Sequence, residues 1–297
     1  MLKKGYPQYF YTQDKTRLFF TTNFLPETKI DNNELLIVFN YGLVCNSQHW
    51  KEQIYFFDQL GYKILLHDYR SHYSSGGLAS LEDCHFKQMT NDVEELITHL
   101  GAKRVAMLGH SMGVNITLEY ARLFPEKLVC AILISGTVLP PQDVMFDTNI
   151  TDIVFPFLQY FSKEYPTAFK KIWDTSYMNP LARNIIYKGG FNTSKVSSEF
   201  VEIYMKKISE LPQDILLHLL VEMKNHDIIN DLEKIKTPCL VMGGDKDKVI
   251  PNHLQLLLHQ RLKSSELYII KEGSHVPQVD FPETVNQRIN LFIQQNL

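Results

Sequence analysis

The sequence predicts an α/β protein with a mostly parallel central sheet flanked by helices, and three observations predict it. Short apolar runs recur along the chain, amphipathic helical stretches separate most of them, and one run ends in a glycine-bounded serine turn that opens a helix. The runs are Leu35–Phe39, Lys63–His67, Arg104–Leu108, Val129–Ile134, Cys239–Met242 and Leu267–Ile270. Apolar residues without alternation suit strands buried on both faces, which is the condition of a parallel sheet.

The helical stretches follow from spacing. Met89, Val93, Leu96, Ile97 and Leu100 make one stripe, and Gly101 follows as a stop. Val114, Leu118 and Ala121 repeat the pattern before Pro125, and Val285, Ile289 and Phe292 repeat it after Pro282. Strand alternating with helix implies right-handed crossovers and three layers. The stretch up to Phe24 alternates more loosely and is expected to supply a leading antiparallel pair.

From Pro140 to Asp231 the rhythm changes. Helical signals dominate at 151–163, 198–208 and 212–225, and no strand-like run interrupts them. The chain is therefore expected to fold as a core of residues 1–139 and 232–297, with 140–231 inserted as a helical lid. The alternative is an ordinary helical layer of one domain.

Composition narrows the function. Hydrophobic residues make up 44% of the 297 residues and charged residues 21%, with a net charge of -3 and no long run of one sign. A nucleic-acid partner is not expected from that balance. No segment reaches the ~18–20 apolar residues of a membrane-spanning helix, and the start reads as no secretory signal. Cys45, Cys84, Cys130 and Cys239 lie far apart, without metal or redox spacing, which fits a reducing cytoplasm. Oligomeric state is not readable from these features.

The chemistry is concentrated at Gly109-His110-Ser111-Met112-Gly113. Strand, sharp turn and helix surround it, the context in which Gly-x-Ser-x-Gly presents a nucleophilic serine. A hydroxyl is a poor nucleophile near neutral pH, so it needs a base within reach and a group that orients the base. His275 is the candidate base, in the loop directly after the last strand-like run. His110 adjoins the serine, but successive residues at a turn point apart. His67, His99, His218, His226 and His259 read as packing or surface residues. The orienting acid is expected after Cys239–Gly244, where Asp245 and Asp247 compete. Asp247 reaches further round the turn and is preferred, leaving Asp245 as a loop residue that binds backbone amides. The order Ser, Asp, His is the one this strand arrangement expects. Backbone N–H groups of Met112 and Leu43 are the expected donors to a developing oxyanion, with Gly42 allowing close approach.

On these motifs the chain resembles the α/β-hydrolase superfamily, and within it the lid-bearing esterases and lipases. The resemblance covers the 40–50 loop, His67-Asp68-Tyr69-Arg70, the serine turn, 244–251 and the His275 loop. It implies an α/β-hydrolase fold with a helical lid, an ester or acyl substrate, and chemistry that requires no cofactor or metal. Two departures stand out: Tyr41-Gly42 replaces His-Gly, and Arg70-Ser71-His72-Tyr73 replaces Arg-Gly-His-Gly. A carbon–carbon bond hydrolase with the same three residues is a second reading; it would need a group for a substrate carboxylate, for which Arg183 is a candidate, although a surface role suits that residue better. A non-catalytic binder on the same scaffold is a third. Phe155, Phe157, Tyr160, Phe161, Trp173 and Tyr177 would either line the lid's underside or pack it together.

Overall fold

The computed structural model describes residues 2, 4–76, 80–140, 150–175, 178–180, 184, 187, 188, 190–196 and 198–297. Arg183 and Tyr177, and the side chain of Phe155, lie outside them.

The strands form one eight-stranded sheet, in the order β1-β2-β4-β3-β5-β6-β7-β8. They are β1 (Tyr6–Tyr11), β2 (Arg17–Thr22), β3 (Leu35–Asn40), β4 (Lys63–His67), β5 (Arg104–His110), β6 (Leu128–Ile134), β7 (Cys239–Gly244) and β8 (Ser265–Ile270). The first two pair antiparallel, and β2 pairs antiparallel with β4. All pairings from β4 to β8 are parallel. The expected leading pair and every expected core strand are present.

Alternate residues of the buried strands feed two cores. Ile37, Phe39, Ala106, Leu108, Ile132 and Ile134 face one side with Ile54, Phe57, Val285 and Phe292. These last residues come from α1 (Lys51–Gln59) and from a terminal helix Pro282–Asn296. Leu36, Val38, Val105, Met107, Ala131 and Leu133 face the other side. There they meet α2 (Phe86–His99) and α3 (Met112–Leu123) through Val93, Leu96, Val114 and Leu118. Strands covered on both faces read as unbroken apolar runs because both side-chain sets are buried.

Between β6 and β7 the described helices are α4 (Ile150–Glu164), α5 (Pro166–Thr175), α6 (Ser198–Glu210) and α7 (Gln213–Asn225). The chain then returns to α8 (Asn252–Arg261) after β7, and to α9 (Pro277–Asp280) and α10 (Pro282–Asn296) after β8. The α4–α7 segment docks through Phe191, Val196, Val201 and Met205, which pack with Val276 of the core. Among the described residues, no helix is long and apolar enough to cross a membrane.

Candidate active site

Parallel register brings the candidate residues to one edge. Asn40 pairs with Gly109, His110 with Ile134, Ile134 with Met242, and Gly244 with Ile270. The loops after β3, β5, β7 and β8 therefore leave the same edge side by side, where side chains distant in sequence can converge.

Ser111 occupies the turn between β5 and α3 with φ 53° and ψ -121°. A non-glycine residue rarely adopts such a backbone, and the surrounding structure must hold it there. Ser111 N–H donates to the Ile134 carbonyl at 2.9 Å, and Val114 N–H closes the helix start on the Ser111 carbonyl at 2.9 Å. Close approach explains the glycines nearby. A Cβ on Gly113 would lie 2.2 Å from the Asn40 carbonyl oxygen, and one on Gly42 would lie 2.9 Å from Ser111 Cβ. The loop after β3 thus sits directly against the serine turn.

His275 joins the three loops. Its Nε2 lies 3.2 Å from Ser111 Oγ, and its Nδ1 lies 3.0 Å from Asp247 Oδ2. The carboxylate oxygen can only accept, so Nδ1 carries the proton and Nε2 presents a lone pair to the hydroxyl. The second oxygen of Asp247 accepts N–H bonds from Val249 and Ile250, both at 2.8 Å. The Asp247 side chain is fully buried and held by these bonds, while the imidazole keeps 13% exposure. A carboxylate fixed in this way can orient a ring without swinging towards solvent.

Asp245 differs from expectation. Its carboxylate lies 3.7 Å from Lys246 Nζ, and the backbone-amide contacts belong to Asp247. The Asp247 N–H bond to the Gly244 carbonyl, 3.1 Å, curls the chain so that residue 247 points inward.

Leu43 lies in the loop beside the serine, half-buried, and Met112 is the first residue of α3. The first amides of a helix have no partner within it, which suits Met112 N–H to an incoming negative charge.

The departure at Tyr41 is absorbed by a reciprocal pair. Tyr69 N–H donates to Tyr41 Oη at 3.1 Å, and Tyr69 Oη donates to the Tyr41 carbonyl at 3.0 Å. In the Arg70–Tyr73 loop, Ser71 and Tyr73 take φ 61° and φ 41°, the left-handed backbone that glycine would adopt freely. Tyr73 Oη donates to the Cys45 carbonyl at 2.8 Å, and Arg70 is clamped by Asp92 at 2.6 Å and Asp14 at 3.0 Å. Neighbouring bonds hold the backbone that the missing glycines do not.

The aromatic residues of the helical segment divide. Phe157 and Tyr160 are 61% and 59% exposed, and Phe161 packs on Phe157, Tyr165 and Phe169. Trp173 alone of the four joins the cluster that touches Val276. The segment's buried residues in that cluster are Phe191, Val196, Val201 and Met205, packed with Val44 and Val276 from the core. No pattern in the sequence singles these out, because they meet only when the segment folds back.

A family model described as the alpha/beta hydrolase fold matches residues 36–282. The chain belongs to that family. Among α/β hydrolases it is similar to the bifunctional esterase/perhydrolase DCH of Acinetobacter calcoaceticus, with 27% identity over 274 residues, 87% of this chain and 91% of that protein. It is also similar to protein ABHD8 of Mus musculus, with 24% identity over 263 residues, 88% of this chain. The alignment takes in 55% of that protein, so the chain spans about half the length of that relative. The esterase from Exiguobacterium antarcticum shares the fold, with a TM-score of 0.74, 18% identity, and coverage of 96% of this chain and 98% of that one. Among the described residues, no group of three or more His, Cys, Asp or Glu could hold a metal ion.

Proposed function

We propose that this α/β hydrolase is a serine hydrolase that cleaves a carboxylic ester or related acyl bond through a covalent acyl-enzyme. One observation carries the reading: a single imidazole spans Ser111 Oγ at 3.2 Å and Asp247 Oδ2 at 3.0 Å. In that position His275 Nε2 takes the Ser111 proton as the oxygen attacks the acyl carbonyl carbon. Asp247 keeps the required tautomer and offsets the positive charge of the ring. The N–H groups of Leu43 and Met112 are the proposed donors to the oxyanion, each contributing roughly 3–4 kcal/mol to the transition state. The C–O bond to the alcohol breaks as His275 returns the proton to the leaving oxygen. Water, activated by the same ring, then hydrolyses the acyl-serine and releases the acid.

Residues 140–231 are proposed as a lid over this edge. The apolar cluster of Phe191, Val201, Met205, Val44 and Val276 favours a small or medium apolar acyl group. The similarity to an esterase/perhydrolase supports ester substrates. A fluorophosphonate probe is expected to label the wild type at Ser111 and to leave Ser111→Ala unlabelled. A folded wild type that resists labelling would overturn the assignment. Among p-nitrophenyl esters, medium-chain substrates are expected to react faster than acetate. The reverse order would remove the apolar pocket from the reading.

A further inference from the structure

The residue before the nucleophile has a task that its position in sequence hides. His110 is 1% exposed at the end of β5, and its ring lies among Trp50, His49 and His275. The ring centroids of His110 and His275 are 5.0 Å apart. Its Nε2 is 2.9 Å from the backbone carbonyl oxygen of His275, 165 residues away in sequence. A carbonyl oxygen only accepts, so Nε2 must carry the hydrogen and donate it. Nδ1 is then the lone-pair nitrogen. It lies toward Gly42, where a built Cβ would come within 3.2 Å of it, and among the described residues it is buried without a hydrogen-bond partner.

We infer that His110 is a positioning residue: its Nε2–H ties the serine strand to the His275 backbone and fixes where the proton-accepting imidazole stands. This inference rests on the serine-hydrolase reading above. The carbonyl it holds lies where the β8 loop turns into α9, and the turn bonds of that helix use the Val276 carbonyl instead. One residue earlier, Ser274 N–H donates to Asp280 Oδ2 at 2.6 Å. The two bonds grip the backbone on either side of the Cα of His275, leaving its side chain to reach Ser111 and Asp247.

Packing alone would not need a donor at this place. A phenyl ring would fill the same volume and leave the carbonyl unpaired, which costs a buried acceptor its partner. The ring also has to stay uncharged beside a histidine that becomes positive during the reaction. Burial, reinforced by the nearby His275 and His49, drives His110 well below the usual histidine range and keeps it neutral.

The test is a donor series at position 110. A glutamine amide can place its N–H near the Nε2 position, an asparagine amide is too short, and phenylalanine has no donor. His110→Phe and His110→Asn are expected to lower kcat on the order of tenfold to a hundredfold, because a small displacement of a catalytic group has that effect. KM for a p-nitrophenyl ester should change little, and His110→Gln should recover most of kcat. Histidine ring NMR on the wild type should show the Nε2–H tautomer for residue 110. Thermal midpoints separate unfolding from displacement, since Gln and Asn variants of equal stability should still differ in kcat. A labelled wild type whose Gln and Asn variants react alike, or an Nδ1–H tautomer, would overturn this inference alone. A folded wild type that fails to label would remove it together with the serine-hydrolase reading.

Discussion

Among the described residues, two histidine–carboxylate pairs share nearly the same spacing and have different fates. His275 Nδ1 meets Asp247 at 3.0 Å, and His226 Nε2 meets Glu119 at 2.9 Å. The difference lies on the other side of each ring. His275 turns its second nitrogen to a hydroxyl, Ser111 Oγ, whereas His226 turns its own to Asn115 Oδ1 at 3.1 Å. A hydroxyl can give up a proton and an amide oxygen cannot, so only the first ring has work for a lone pair. The His226 pair fastens the end of α7 to α3, with Arg122 on the remaining Glu119 oxygen at 2.6 Å. Partner identity, rather than the presence of a pair, separates the proposed reactive site from a structural joint.

The strongest way to break this comparison is to remove the His275 ring. His275→Ala is expected to lower kcat for a p-nitrophenyl ester by on the order of 10⁴–10⁶, while the thermal midpoint stays near that of the wild type. Activity retained within tenfold would mean that another base serves Ser111. Next in size is Asp247→Asn, which keeps the shape but offers a donor where Nδ1–H needs an acceptor. The ring is then held in the wrong tautomer, and kcat should fall by roughly 10³–10⁴. Steady-state kinetics at saturating ester would detect either loss.

The His275–Asp247 pairing was legible in sequence and the His226–Glu119 pairing was not, for a physical reason. Gly109–Gly113 is a local pattern, because the steric demands of the turn fall on residues two apart from the serine. His275 and Asp247 follow strands in a fixed order, so parallel register predicts their meeting. His226 and Glu119 are 107 residues apart on two helices, and no repeat or spacing relates them. The same limit explains the aromatic residues. By composition Phe157 and Tyr160 could either line the segment's underside or pack it together, yet which face of a helix meets the core depends on docking, and both are exposed. The Arg70–Tyr73 loop shows a third kind of limit. Glycine would mark its left-handed backbone, but Ser71 and Tyr73 adopt it because Tyr73 Oη and the Arg70 clamp hold their neighbours.

Removing the structural ring sharpens the comparison from the other side. His226→Ala strands a buried carboxylate oxygen and an amide oxygen, which should lower stability by about 1–3 kcal/mol. Chemical denaturation would read that loss, while kcat should stay within about twofold because separate sites act independently. A large loss of kcat at unchanged stability would place His226 in the chemistry and erase the distinction.

Asp68 supplies the smallest test, a half-buried carboxylate with no histidine partner among the described residues. Among the described residues it accepts one N–H bond, from Ser74 at 3.0 Å, whereas Asp247 accepts bonds from two amides and a ring N–H. Burial pushes Asp68 up from 3.8 to about 6, although the Ser74 bond and the charge of Lys207 oppose the rise. Between about pH 4 and 6 the native chain therefore keeps a proton that the unfolded chain has released. Stability contributed by this group is highest below pH 4, falls as pH rises through 6, and then levels. Asp68→Asn keeps an acceptor for Ser74 and removes the titration. Its stability relative to wild type should be near zero at pH 4 and higher by about 1 kcal/mol at pH 7, after screening by solvent. Melting curves across that range check the sign. A wild-type advantage at pH 7 would mean that the Lys207 attraction outweighs burial, and that a lone carboxylate at this edge is as well satisfied as Asp247.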